Sequence, residues 1–161
     1  MSIQTDLVDG YSRNSWLVQR HLDDLDQADT LIRPNGTGNC INYIFGHILL
    51  CRVEMLELLG QPAAVTPQAL RRYDTGADPV GPDSTDICPL EQLEHWWTEV
   101  DAEFLAALRG ASDETMQRRV KTSHGEVELH RRLHFFYFHE TFHIGQFEIL
   151  RHLAGKTESL I

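Results

Sequence analysis

Between Gly60 and Pro89 the chain reads "GQPAAVTPQALRRYDTGADPVGPDSTDICP", and no other stretch restricts the fold as much. Its prolines, glycines, aspartates and threonines give no sustained helical or strand repeat. At roughly 28 residues it is long for a structureless loop, but in an antiparallel bundle a long crossover lets two consecutive helices run parallel. Two helical segments precede it. The first spans about Thr5 to Asp26, with Leu7, Tyr11, Ser15, Val18, Leu22 and Leu25 recurring at threes and fours. The second spans about Cys40 to Leu59, with Asn39 as its N-cap after the loop "RPNGTGN" and with Gly60 and Pro62 as its stop. Two more follow, about Leu90 to Leu108, stopped by Gly110, and about Leu129 to Ala154, stopped by Gly155. In the connector before the last helix, "RRVKTSHGEVEL" has the pattern of a short β-hairpin around His124-Gly125. The expected fold is all-α: one four-helix bundle over residues 1–161, with the long crossover between its second and third helices.

Composition narrows the function by exclusion. The 161 residues carry a formal net charge of −10, which disfavours nucleic acid or an anionic membrane as partner. No apolar run approaches the length of a membrane span, and the first residues do not have the form of a signal peptide. Three cysteines without a C-x-x-C pair fit reduced thiols in the cytoplasm better than a disulfide framework.

The chemistry is concentrated in "HFFYFHETFHIGQ", residues 134–146. His139 and His143 are one turn apart, about 40° around the helix from each other, and can reach one ion. Phe135, Phe136, Phe142, Gln146, Phe147, Leu150 and Leu153 fall within about 80° of His139, so this stripe is expected to face the core. His130, His134 and His152 fall on the far side and read as surface residues. In the second helix His47 lies on the inward stripe with Cys51 and Glu54, opposite the His139/His143 pair, and is the natural third ligand. Core histidines hydrogen-bonded to neighbours are the alternative.

His139-Glu140-Thr141-Phe142-His143 is also a literal H-E-x-x-H, the zinc-peptidase signature. The extended peptidase pattern would need Gly at 146 and His at 149, where the chain has Gln146 and Ile149, and no strand is evident to align a peptide. Three neutral imidazoles would leave a divalent ion an open position and so a route to catalysis. Glu140 is then the candidate general base, and Gln146 could orient a ligand. Cys51 reads as a small core residue with ligand potential, and Glu54 as a partner for Arg13 or Arg20. Tyr11 and Trp16 are expected at the pocket mouth, and Trp96 and Trp97 between helices or at an interface.

"NYIFGHILLCRVEMLELLG" with its central His47, "HETFHIGQFEILR" with His139, His143, Gly145 and Gln146, and the long crossover together resemble the DinB-like family of metal-binding four-helix bundles. The resemblance implies that His47, His139 and His143 hold one divalent ion, nickel, zinc or similar. It further implies a homodimer and a small-molecule substrate, with a low-molecular-weight thiol as cosubstrate in an S-transferase or isomerase reaction. A non-catalytic metal-binding stress protein is the alternative function, and a hydrolase is the neighbouring enzymatic one.

Overall fold

The computed structural model describes residues 3–158. Helix α1 (Ile3–Leu22) ends four residues before the expected boundary, because Asp26 begins a new turn, α2 (Gln27–Thr30). The reason is a capping box: the Asp26 side chain accepts from the Asp29 amide while the Asp29 side chain accepts from the Asp26 amide. Helix α3 (Ile41–Leu58) follows and is buried on almost every side, as its run of aliphatics requires. The crossover contains one turn, α4 (Pro67–Leu70), and a 3-10 turn at Arg71–Tyr73. It is packed rather than loose: Leu70, Tyr73 and Val80 are fully buried.

Helix α5 (Leu90–Gly110) and the short α6 (Asp113–Gln117) come next. The hairpin is present as β1 (Arg119–Thr122) and β2 (Gly125–Glu128), antiparallel with Thr122 opposite Gly125. Gly125 has φ 114°, a backbone conformation that favours glycine. Helix α7 (Leu129–Leu153) closes the bundle.

Cross-helix partners fix the directions. Gln4 reaches the Leu108 carbonyl and Ser15 reaches Asp101, so α1 and α5 are antiparallel. Phe45 meets Trp97 and Arg52 meets Asp101, so α3 and α5 run parallel, as the length of the crossover predicts. Tyr11 meets the Leu133 carbonyl and His21 meets Glu148, so α1 and α7 are parallel too. Among the described residues no helix is long and apolar enough to cross a membrane.

One expectation about α7 is corrected. Its buried residues are Leu129, Leu133, Phe136, Glu140, Ile144, Phe147, Leu150 and Arg151. That face is centred about 90° from His139, so the imidazole pair flanks the core instead of lying at its centre. Phe135, Phe142 and Leu153, expected inside, are exposed along with Phe138 and Ile149, each between 49% and 65%. Apolar and polar residues are mixed nearly all round the helix, so hydropathy alone could not say which stripe turns inward. Buried Glu140 and Arg151 are the polar residues that mark the true inner face.

Candidate metal centre

The α3 wall of the site begins at Gly46. A Cβ there would lie 2.3 Å from Cγ of Tyr73, so only glycine lets the crossover settle onto the helix. In that position the Tyr73 carbonyl accepts a hydrogen bond from Nδ1 of His47 at 2.9 Å, and Tyr43 stacks against the same imidazole at 6.1 Å. A carbonyl can only accept, so the proton of neutral His47 is on Nδ1 and its Nε2 is a bare lone pair.

Across from it, the two α7 imidazoles are half-buried. His143 directs Nδ1 to Oε1 of Gln146 at 2.7 Å, which again leaves Nε2 bare. Nε2 of His139 lies 3.1 Å from Nε2 of His143 and 3.4 Å from Nε2 of His47, while Nδ1 of His139 is buried with no hydrogen-bond partner. Three imidazole nitrogens therefore converge with at most one proton among them. Extra protons are resisted: burial first, then the neighbouring His143 and His47, holds His139 down to about 4. His143 is lowered as well, chiefly by burial, against the bond to Gln146.

With the proton of His139 on its unpartnered Nδ1, three lone pairs oppose one another, a repulsion that a cation between them removes. The residues fit such an ion: nitrogens each about 2.0–2.1 Å from a tetrahedral divalent metal lie about 3.3 Å apart, and Nε2 of His139 is 3.1 and 3.4 Å from its two neighbours. Sγ of Cys51 lies beside two of these imidazoles: the ligand atoms of His47, Cys51 and His139 are all within 4.8 Å of one another, a group that leaves out His143. Its thiol is pushed up, by burial and then by Glu54 and Glu140.

Glu140, the sequence candidate for general base, has a different set of contacts. It is 1% exposed, and its two oxygens accept from Nε (2.5 Å) and Nη2 (2.8 Å) of Arg52, with Asn14 donating at 3.0 Å. Arg52, 0% exposed, also reaches Asp101 at 2.8 Å and lies against the rings of Tyr11, Trp97 and Phe104. This hub joins α1, α3, α5 and α7 at one level. It was missed in the sequence because Arg52 points away from the His47 stripe and nothing in the pattern marks it as paired.

Other expectations resolve as follows. Gln146 orients His143 directly. Glu54 is half-buried near Asp74, Arg132 and Glu57, and its charge is disfavoured mainly by burial; Arg13 and Arg20 are exposed on α1 and are not its partners. Tyr11 is buried, bonded to the Leu133 carbonyl, and Trp16 points outward, so neither lines the site. Trp97 packs between helices against Phe45. His134 and His152 are exposed, and His130 is partly so.

The family model of the DinB superfamily matches residues 13–147. No curated protein matches the chain. Among solved structures, a mutant of the mycothiol-dependent maleylpyruvate isomerase superposes with a TM-score of 0.67 at 14% identity, over 90% of this chain and 60% of that one. The two share a fold, and the present chain spans about three-fifths of the isomerase's length.

Proposed function

The chain belongs to the DinB superfamily, and on that basis we propose that it is a divalent-metal-dependent enzyme acting on a small molecule with a thiol cosubstrate. His47, His139 and His143 are its metal ligands, with zinc or nickel as the ion. The observation that carries this reading is the convergence of three Nε2 atoms at 3.1 and 3.4 Å with at most one proton among them. A bound divalent ion supplies Lewis acidity, lowering the pKa of a water or thiol that reaches it.

The chain's own residues do the rest. The Tyr73 carbonyl and Gln146 fix the tautomers of His47 and His143, and burial keeps His139 unprotonated at neutral pH. Phe135 lies nearly parallel to His139 with ring centroids 6.2 Å apart. Glu140 does not act on substrate in this reading; it neutralises Arg52 and so fixes the level at which α7 presents its imidazoles. The thiol-transfer and isomerase types are favoured over the hydrolase by the fold shared with a thiol-dependent isomerase. A peptidase would need Glu140 at the ion, where Arg52 and Asn14 hold it away. A metal-holding protein without turnover is the second reading, favoured by the closeness of Cys51 to the imidazoles.

We assign the protein to the reducing cytoplasm and to a homodimer. The row of Phe135, Phe138, Phe142, Ile149 and Leu153 leaves roughly 500 Å² of apolar surface uncovered on one helix. That is most of the roughly 800 Å² per partner that a stable pair buries. Gly145, with open space around it, lets a second helix approach closely.

Elemental analysis of untagged protein tests the metal. One divalent ion per chain is expected, with a chelator-sensitive melting temperature, and both are lost in His47→Ala. Metal content unchanged by His47→Ala would refute the ligand set. Sedimentation velocity tests the pairing, with Phe142→Glu expected to give monomers of unchanged helicity.

A further inference from the structure

His47 and Cys51 are four residues apart on α3, just as His139 and His143 are on α7, and the two pairs face each other across antiparallel helices. Each pair places its side chains one above the other on a single helix face. Two i, i+4 pairs on facing helices can supply four donors to one ion, the number that a tetrahedral ion takes. Sγ of Cys51 and the ligand atoms of His47 and His139 lie within 4.8 Å of one another, and His143 joins this group through His139, whose Nε2 is 3.1 Å from its own. Cys51 is 6% exposed, and among the described residues no hydrogen bond engages its sulfur. A thiol used only to fill space has no need to lie beside imidazoles from two facing helices. The other two cysteines lie elsewhere: Cys40 precedes the first turn of α3, and Cys88 is in the crossover, where its amide donates to the Tyr73 hydroxyl.

We propose that Cys51 is a fourth protein ligand, so that the resting site is a closed set of three histidines and one cysteine. This rests on the metal reading above and deepens it. Metal uptake then releases the Cys51 thiol proton to solvent and leaves the sulfur as thiolate, with no change of redox state. A thiolate in the set selects zinc, cobalt, nickel or copper over magnesium, calcium or manganese.

The test is cobalt substitution of the untagged, full-length protein after metal removal, with absorbance and metal stoichiometry read together. Wild-type protein is expected to bind one Co(II) per chain and to show a thiolate-to-cobalt charge-transfer band in the near ultraviolet. Cys51→Ser, close in size and checked for folding by circular dichroism, is expected to keep bound cobalt and lose the band. Cys40→Ser and Cys88→Ser are expected to keep both. Stoichiometric cobalt without the band in wild type, or a band that survives Cys51→Ser, overturns the cysteine assignment and leaves the three-histidine site standing. Failure of the wild type to take up any cobalt, zinc or nickel overturns the metal reading itself, and this assignment with it.

Discussion

Replacing Glu140 by Gln separates a structural carboxylate from a catalytic one. The substitution preserves shape and the contact with Asn14 but removes the charge that Arg52 meets at 2.5 and 2.8 Å. Both side chains are out of contact with water, so the guanidinium is left with a single anionic contact, the partly exposed Asp101 at 2.8 Å. Breaking one side of a buried ion pair costs about 3–5 kcal/mol. Asp101 and the three aromatic rings around Arg52 compensate in part, which places the expected loss near 3 kcal/mol. For a domain of this length that is a fall in Tm of about 6–12 °C, measured by calorimetry at neutral pH. Metal stoichiometry is expected to stay at the wild-type value. Because the penalty arises from an unpaired charge and not from lost contacts, the double variant Arg52→Met with Glu140→Leu is expected to recover most of the stability. A Tm within about 2 °C of wild type, combined with loss of bound metal or of activity, would refute the hub and return Glu140 to the ion.

Two other expectations follow from the site. Gly46→Ala forces the Tyr73 ring off α3, since its Cβ would stand 2.3 Å from Cγ. Denaturant unfolding should show a loss of about 1–3 kcal/mol, and competition titration should show metal affinity reduced by about 10–100-fold as the His47 orientation loosens; an unchanged affinity would detach Tyr73 from the site. The pH dependence of the metal-free protein has a definite sign. Burial and then the neighbouring imidazoles lower His139 from 6.5 to about 4, so between those values the unfolded chain binds a proton that the folded one excludes. Stability should therefore fall as pH drops from about 6.5 toward 4, and urea midpoints for His139→Gln should show a flatter slope across that interval than wild type.

The helical segments were legible because their periodicity and punctuation are local: Gly60 after α3, Gly155 after α7, and the turn residues of the hairpin; Asn39, expected to cap α3, does not, since Cys40 takes the cap position without a side-chain hydrogen bond. The crossover was legible as a connection and not as a packed element, since nothing in "RRYDTG" announces that Tyr73 lies on a glycine 27 positions earlier. The face of α7 was misplaced by about a quarter turn, because phenylalanines on both sides make its hydropathy nearly symmetrical. Glu140 looked catalytic by virtue of its place in a five-letter pattern, and its actual contact, Arg52, is 88 residues away.

By itself, then, the sequence determined which residues could share a helix face: His139 with His143, and His47 with Cys51, because the helical repeat sets those relations within each segment. Tertiary structure alone decided that the two faces meet, which nitrogen of each imidazole is turned inward, and that the carboxylate between the α7 histidines belongs to a buried guanidinium. Those outcomes depend on rotation and level between helices, which long-range packing around Arg52 and Gly46 sets and no local pattern encodes.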